Sequence, residues 1–293
     1  MQASATAIGG IPIVIEGIPI VIEGEGADTL LFLHGWPDTL RLWDTTVAAL
    51  KGRYRCVRFT LPGFDPDLPA RGTALEPMTA LLARIVDGVS PGASVTLLLH
   101  DWGCAFGYEL AAQHPEKVAR IVAVDVGDHN SGALQRSLTA KARMQVFAYQ
   151  VWLAIAWFVR GGIGDRMTRV MARALRCRTD PAHITWQMNY PYAMQWFGSL
   201  GGLRHAQRVD PHCPLLYIYG QRKPFMFHSP QWLARLNSAP GCTVQAFASG
   251  HWVMVQQPDA FNACISAWLA ANPVLGQSVR GNPVCPRRAG QGL

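Results

Sequence analysis

Three short stretches carry residue types that can do covalent chemistry together. The first is Leu97-Leu98-Leu99-His100-Asp101-Trp102-Gly103-Cys104, an apolar strand pattern that runs into a sharp turn and then a helical pattern. A small residue past such a turn lets strand and helix pack closely, and the turn thrusts one side chain out at the top of a sheet. The occupant of the turn is Asp101, a carboxylate rather than a hydroxyl or thiol. A carboxylate can displace a leaving group at saturated carbon and hold the product as an alkyl ester, which water then cleaves at the carboxyl carbon. The structural alternative is an aspartate that caps the following helix.

The second stretch is Leu31-Phe32-Leu33-His34-Gly35-Trp36-Pro37-Asp38, a strand entering a turn. Gly35 permits the turn and a close approach of backbone to substrate. The N–H groups of Trp36 and Trp102 can face a developing oxyanion. His34, Gly35, Trp36 and Trp102 are therefore the candidate oxyanion and substrate-binding residues. The third stretch, Ala248-Ser249-Gly250-His251-Trp252, follows the last strand pattern. A histidine on a loop there can reach the elbow and act as the base for water. Each signal is weak alone, and their order along the chain makes them reinforce one another.

Alternating elements must position these residues. Apolar runs at 29–33, 56–60, 95–100, 119–125, 215–219 and 243–247 predict strands. Helical patterns at 42–51, 77–89, 104–114, 230–236 and 258–271 fall between and after them. Strands this apolar fit a parallel sheet covered on both faces. Residues 11–17 and 18–24 are the same seven letters, Ile-Pro-Ile-Val-Ile-Glu-Gly, which predicts a hairpin through a tight Glu-Gly turn. From about 131 to 208 there is no strand pattern, and four of the ten tryptophans fall there. The expected layout is an α/β core at 1–129 and 209–273, a helical cap at 130–208, and a disordered tail at 274–293.

Of the 293 residues, 49% are hydrophobic and only 15% charged, which excludes a disordered chain. The net charge of +7 is modest and calls for no nucleic-acid partner. It is uneven: residues 130–178 hold nine Lys or Arg against one acid, Asp165, a net of +8. We read that charge as solvating the outer face of the cap. Seven cysteines without CxxC spacing fit neither a disulfide framework nor a zinc site and point to the reducing cytoplasm. The N-terminus has no signal-peptide pattern. The apolar run at 144–159 carries Gln145 and Gln150 and is shorter than the roughly 20 residues of a membrane span. With its neighbouring arginines it makes a membrane surface the lesser candidate partner, behind a small apolar or aromatic molecule. No cluster has metal-ligand spacing, so no cofactor or metal is expected.

Taken together, the three stretches resemble the α/β-hydrolase superfamily in its branch of epoxide hydrolases and haloalkane dehalogenases, over roughly residues 11–271. The resemblance implies an α/β-hydrolase fold: a mostly parallel sheet flanked by helices, with an inserted helical cap. Asp101 at the elbow separates the chain from esterases and lipases. Most of the family carries an acid just after the strand at 215–219, where this chain reads Gly220-Gln221-Arg222-Lys223-Pro224. A subset of similar dehalogenases places the acid one strand earlier, which points to Asp125, with Asp128 in reserve, as the partner of His251. Arg222 and Lys223 are read as facing solvent.

Similar epoxide hydrolases hold the epoxide oxygen with cap tyrosines. Tyr149 and either Tyr190 or Tyr192 are the candidates, with the register left open. Similar dehalogenases hold a halide with two N–H donors, for which Trp36 and Trp102 are the candidates. The expected activity is opening of an apolar or aromatic epoxide to a diol through an Asp101 ester, hydrolysed by water that His251 activates. Haloalkane dehalogenation by the same pair is the alternative, and a non-catalytic binding protein of this fold is the third reading.

Overall fold

The computed structural model describes residues 11–210 and 212–274. Among the described residues eight strands form one sheet: β1 (Ile11–Ile15), β2 (Ile18–Glu23), β3 (Thr29–Leu33), β4 (Arg55–Phe59), β5 (Val95–His100), β6 (Val118–Val124), β7 (Leu215–Gly220) and β8 (Thr243–Phe247). Their order is β1-β2-β4-β3-β5-β6-β7-β8. β1 pairs antiparallel with β2, and β2 with β4; every other pairing is parallel. The duplicated heptapeptide makes the β1–β2 hairpin, turning at Glu16 and Gly17, both at positive φ.

Ten α-helices among the described residues connect and cover the strands: α1 (Asp44–Leu50), α2 (Leu75–Val89), α3 (Trp102–Gln113), α4 (Gly132–Ser137), α5 (Ala140–Val159), α6 (Gly161–Ala174), α7 (Tyr190–Phe197), α8 (Pro230–Ser238), α9 (Val253–Gln256) and α10 (Pro258–Ala271). α4 to α7 fill the gap between β6 and β7, and the described residues of that gap hold no strand. The tail expected from Val274 lies, past that residue, outside the described residues.

Successive strand residues point to opposite faces, so each central strand feeds two cores. Leu31, Leu33, Leu97 and Leu99 join the core beneath α2 and α3, while Leu30, Phe32, Leu98 and Val122 meet α1 and α10 on the other side. β3 and β5 are buried along their whole length. That explains why they read as continuous apolar runs rather than alternating ones. α3 begins directly after Asp101, two residues before the helical pattern of the sequence becomes visible.

The chain leaves β3 toward β4 on one side and returns to β5 on the other. A parallel sheet opens a crevice at the carboxyl ends of two strands where the order reverses in this way. Asp101 follows β5 and Trp36 follows β3, so both lie at this crevice.

Gly103 lets the first turn of α3 sit against β3. A β-carbon there would lie 2.4 Å from the carbonyl oxygen of Leu33 and 2.6 Å from that of His34. We predict that Gly103→Ala destabilises the fold by about 1–3 kcal/mol, the usual range for overpacking. Thermal or denaturant unfolding measures this, and an unchanged midpoint would show that the two elements are free to separate.

Candidate active site

Asp101 has φ 52 and ψ −121, a left-handed conformation that costs a non-glycine residue roughly 1–3 kcal/mol. Its side chain makes no capping hydrogen bond to α3, so the capping alternative does not hold. Instead Oδ1 accepts the backbone N–H of Trp36 at 2.7 Å, and Oδ2 lies 3.4 Å from His251 Nε2. Gly35 makes the first contact sterically feasible. A β-carbon there would be 2.3 Å from Asp101 Oδ1 and 2.5 Å from the backbone nitrogen of Trp102. The N–H of Trp102, the first residue of α3, opens the helix beside this carboxylate.

On its other side His251 meets Asp125, whose Oδ2 is in close hydrogen-bond contact with Nδ1. Asp125 directly follows β6, is fully buried and also adopts positive φ. Its second oxygen accepts the backbone N–H of Gly220 at 3.0 Å and the ammonium of Lys223 at 2.5 Å. Lys223 thus turns inward, its side chain only 7% exposed, contrary to the solvent-facing orientation read from sequence. A fully buried carboxylate with one imidazole partner needs more compensation than that partner supplies, and Lys223 provides it. Arg222 is exposed. Asp128 lies elsewhere: it accepts from the backbone N–H of Ser229 at 2.7 Å and from the hydroxyls of Ser229 and Ser131. It ties α4 and α8 together and does not contact His251.

The charges fix one another. Burial pushes the Asp125 carboxyl up, but the charges of Lys223 and His251 outweigh it and hold the group below its ordinary range. Burial likewise raises Asp101, and the hydrogen bond and charge of His251 outweigh that. Burial pulls His251 down, yet the charge of Asp125 and the hydrogen bond that His251 donates to Asp101 raise it to about 9.

Two cavities, of about 330 and 620 Å³, meet over Asp101 and share Tyr149, Tyr192 and Phe227 in their walls. Tyr190 is in neither wall. It is fully buried, edge-on to Phe64 with ring centroids 5.9 Å apart, and its hydroxyl has no partner. The register left open by the sequence therefore falls on Tyr192. Tyr149 and Tyr192 pack edge to face at 6.2 Å. Burial raises the proton affinity of both hydroxyls, and the charge of Asp101 raises it further. Trp102 packs edge-on to Tyr192, with ring centroids 5.3 Å apart.

Two other candidates have different surroundings from those expected. His34 is fully buried, with Nδ1 on the carbonyl of Gly35 at 3.0 Å and Nε2 accepting the N–H of Leu61 at 2.9 Å. Burial lowers it to about 4. It is a neutral brace of the turn that carries Trp36, not a substrate contact. The Trp36 indole donates to Asn189 Oδ1 at 2.8 Å, so it is not available to clasp a halide. Its backbone N–H is the group that faces Asp101.

Three residues beside the site carried no role in the sequence. His100 packs against His251 with ring centroids 4.5 Å apart and planes tilted by 46°, and burial pushes it to about 3. Asn189 joins α7 to the loop after β3 through Trp36, and accepts no charge in doing so. Asp38 accepts from the Trp252 indole at 2.8 Å and from Thr179, and burial raises it to about 6. Among the described residues no group of three His, Cys, Asp or Glu side chains is placed to hold a metal ion.

A carboxylate at an elbow, an imidazole between it and a second carboxylate, and a backbone N–H on the first are the parts of a covalent hydrolase. Residues 30–264 match the model of the alpha/beta hydrolase family, and the chain belongs to that family of hydrolytic enzymes. Human (Homo sapiens) epoxide hydrolase 4 is 22% identical over 271 residues, covering 83% of this chain and 73% of that one. A haloalkane dehalogenase of Mycolicibacterium smegmatis is 32% identical over 100 residues, 32% of each chain. The crystal structure of a Bacillus megaterium epoxide hydrolase in complex with an inhibitor superposes with a TM-score of 0.66 at 21% identity, covering 89% of this chain and 100% of that one. At that identity the superposition shows the shared fold.

Lys223 and His251 compete for the same carboxylate, so removing the ammonium should strengthen the hold of Asp125 on an imidazolium. We predict that Lys223→Met raises the titration midpoint of His251 by about one pH unit or more, while Lys223→Arg restores the original value. The imidazole NMR shift followed against pH measures it. An unmoved or lowered midpoint would show that Lys223 acts only by packing.

Proposed function

We propose that this protein opens small apolar or aromatic epoxides to diols, with Asp101 as nucleophile. The observation that carries the reading is the pair of tyrosines, Tyr149 and Tyr192, in the cavity walls above Asp101. An epoxide oxygen becomes an alkoxide as its ring opens and needs a proton or strong donors at that moment. Two hydroxyls whose proton affinity is raised, Tyr192 buried and Tyr149 partly so, are suited to give them.

In this scheme a carboxylate oxygen of Asp101 bonds to one epoxide carbon while the ring C–O bond breaks. The electron pair goes to the ring oxygen, which takes a proton from one of the tyrosines. Esterification removes the charge of Asp101, so the proton affinity of His251 falls; it releases its Nε2 proton to solvent, to be regained once the carboxylate is restored, and becomes a base. Nε2 takes a proton from water, and the hydroxide attacks the carboxyl carbon of Asp101. The N–H groups of Trp36 and Trp102 stabilise the oxyanion. Of the two water protons, one returns through His251 to the departing alkoxide and the other restores the tyrosine. Asp125 holds the His251 tautomer with hydrogen on Nδ1 throughout, the role such an acid has in a triad.

The apolar side chains in the smaller cavity, among them Leu134, Leu138, Val146 and Met226, support an apolar substrate. The residues 130–208 act as the cap over the core formed by 11–129 and 209–273. The six described cysteines are all free, which fits the reducing cytoplasm. Displacement of halide is the second reading. It is favoured less because the Trp36 indole is already bonded to Asn189.

Wild type should convert aryl epoxides to diols, and Asp101→Asn should lose at least about a thousandfold of that rate, as single losses from catalytic units do. His251→Gln should accumulate an adduct of protein plus epoxide visible by intact mass. Halide release from a haloalkane panel without diol formation from epoxides would move the assignment to a dehalogenase. No adduct and no turnover with either panel would leave a binding protein.

A further inference from the structure

The charge of residues 130–178 was read from sequence as solvating the outside of the cap, yet that outside is largely apolar. Among the described residues fourteen large apolar side chains are exposed, and twelve of them lie between Met144 and Leu200. On α5 they are Met144, Phe147, Trp152, Ile155, Phe158 and Val159, 39–66% exposed. At 100° per residue these six fall on one side of the helix, along most of its 20 residues. The other side of α5 packs on α6 and α7. From Val151 to Val159 α5 is apolar all round; such a stretch is buried or meets lipid, and its outer side here is exposed.

The patch extends past α5. Phe147 lies edge-on to Trp196 at 5.0 Å, and Phe158 to Phe197 at 5.4 Å. On α6 the exposed Ile163 and Val170 alternate with the exposed Arg166 and Arg173. Lys141 and Arg143 are exposed at the start of α5, and Arg160 at its end. The one acid of this stretch, Asp165, accepts the backbone N–H of Trp186 and lies 4.0 Å from Arg169. An apolar strip fringed by cations, with no free acid, is the pattern of a helix that lies in a membrane interface. A second copy of the chain would fit poorly, since docking this face on itself sets one +8 segment against another.

Phe147 and Trp196 also belong to the wall of the smaller cavity, which reaches down to Asp101. Gln135, Arg143 and Gln195 are the other exposed residues of that wall, so the cavity mouth opens at the edge of the apolar patch. We propose that the outer face of the cap docks on an anionic lipid bilayer, with α5 lying along the surface and the mouth at Phe147 and Trp196 turned to the lipid. No helix among the described residues is long and apolar enough to cross a membrane, so the contact is peripheral. Docking stands independently of the reaction; the further point, that apolar substrate enters from the lipid, rests on the epoxide reading above.

Vesicle flotation of the full chain tests it. Wild type should rise with vesicles of phosphatidylcholine and phosphatidylglycerol, far less with phosphatidylcholine alone, and less again at high salt. Ile155→Glu with Ile163→Glu, two exposed positions outside both cavity walls, should lower the bound fraction about tenfold or more while the melting temperature holds. Arg166→Glu with Arg173→Glu should lower it comparably without touching the apolar strip. Wild type that stays at the bottom with both vesicles overturns the proposal. So does a dimer in sedimentation velocity that the Ile155/Ile163 variant splits, because a second copy then covers the face. Failure of the epoxide reading would show instead as absence of diol and would leave flotation unchanged.

Discussion

A carboxylate at the end of a buried parallel sheet has to stay ionised, and the surroundings of Asp101 follow from that constraint. Water can reach only a small part of it, so the protein supplies the compensating groups. One is the N–H of Trp36, brought within 2.7 Å by a loop whose apex must be glycine. Another is the start of α3, whose unsatisfied N–H groups favour an anion. The third is His251. The crevice of the parallel sheet sets where these parts converge, and the left-handed backbone at Asp101 is the local strain that the sheet and α3 together hold in place.

The same constraint propagates one layer outward. His251 is a good partner for Asp101 only if its far nitrogen is fixed, which requires Asp125. Asp125, fully buried, is in turn stable as an anion only with more than one donor. Lys223 and the N–H of Gly220 complete it, from the strand end where a family acid is usual and this chain has none. Where the resemblance implies an acid after β7, this chain has an ammonium that pairs with Asp125. Around this chain of alternating charge sit histidines that burial keeps neutral, His34 at about 4 and His100 at about 3, so no stray cation competes for Asp101.

The alternation of strands and helices was legible because buried strands and amphipathic helices each impose a period on the sequence. The elbow was legible because an apolar run, a turn and a small residue coincide within eight positions. Asp125 was reached chiefly through the family resemblance, helped by the low propensity of aspartate for strands. Nothing in its own neighbourhood distinguishes a strand-end acid that faces a histidine from Asp128, which faces two serines. Lys223 was misread, since a loop has no period and the direction of a long side chain in it depends on what charge lies beneath. Tyr190 and Tyr192 sit two apart at the start of α7, roughly 200° around the helix. One of them had to face inward to the cavity and the other away, but which one depended on the pose of α7, a tertiary fact. His34 looked like a site residue from its neighbours in sequence, whereas its two nitrogens serve backbone groups on either side.

The paired heptapeptides at the edge of the sheet have a symmetry of their own. In the β1–β2 register Ile11 faces Ile22, Ile13 faces Ile20 and Ile15 faces Ile18, while Pro12 and Val14 face Val21 and Pro19. Ile-Pro-Ile-Val-Ile reads almost the same in both directions, so running it against its own copy matches isoleucine with isoleucine at every second rung. All of these isoleucines with described side chains lie on the more buried face, and Pro12, Val14 and Pro19 on the exposed one. A near-palindromic strand repeated in tandem is therefore a hairpin by construction. A single duplication could widen this sheet by one strand with no later substitution needed to make the new edge fit.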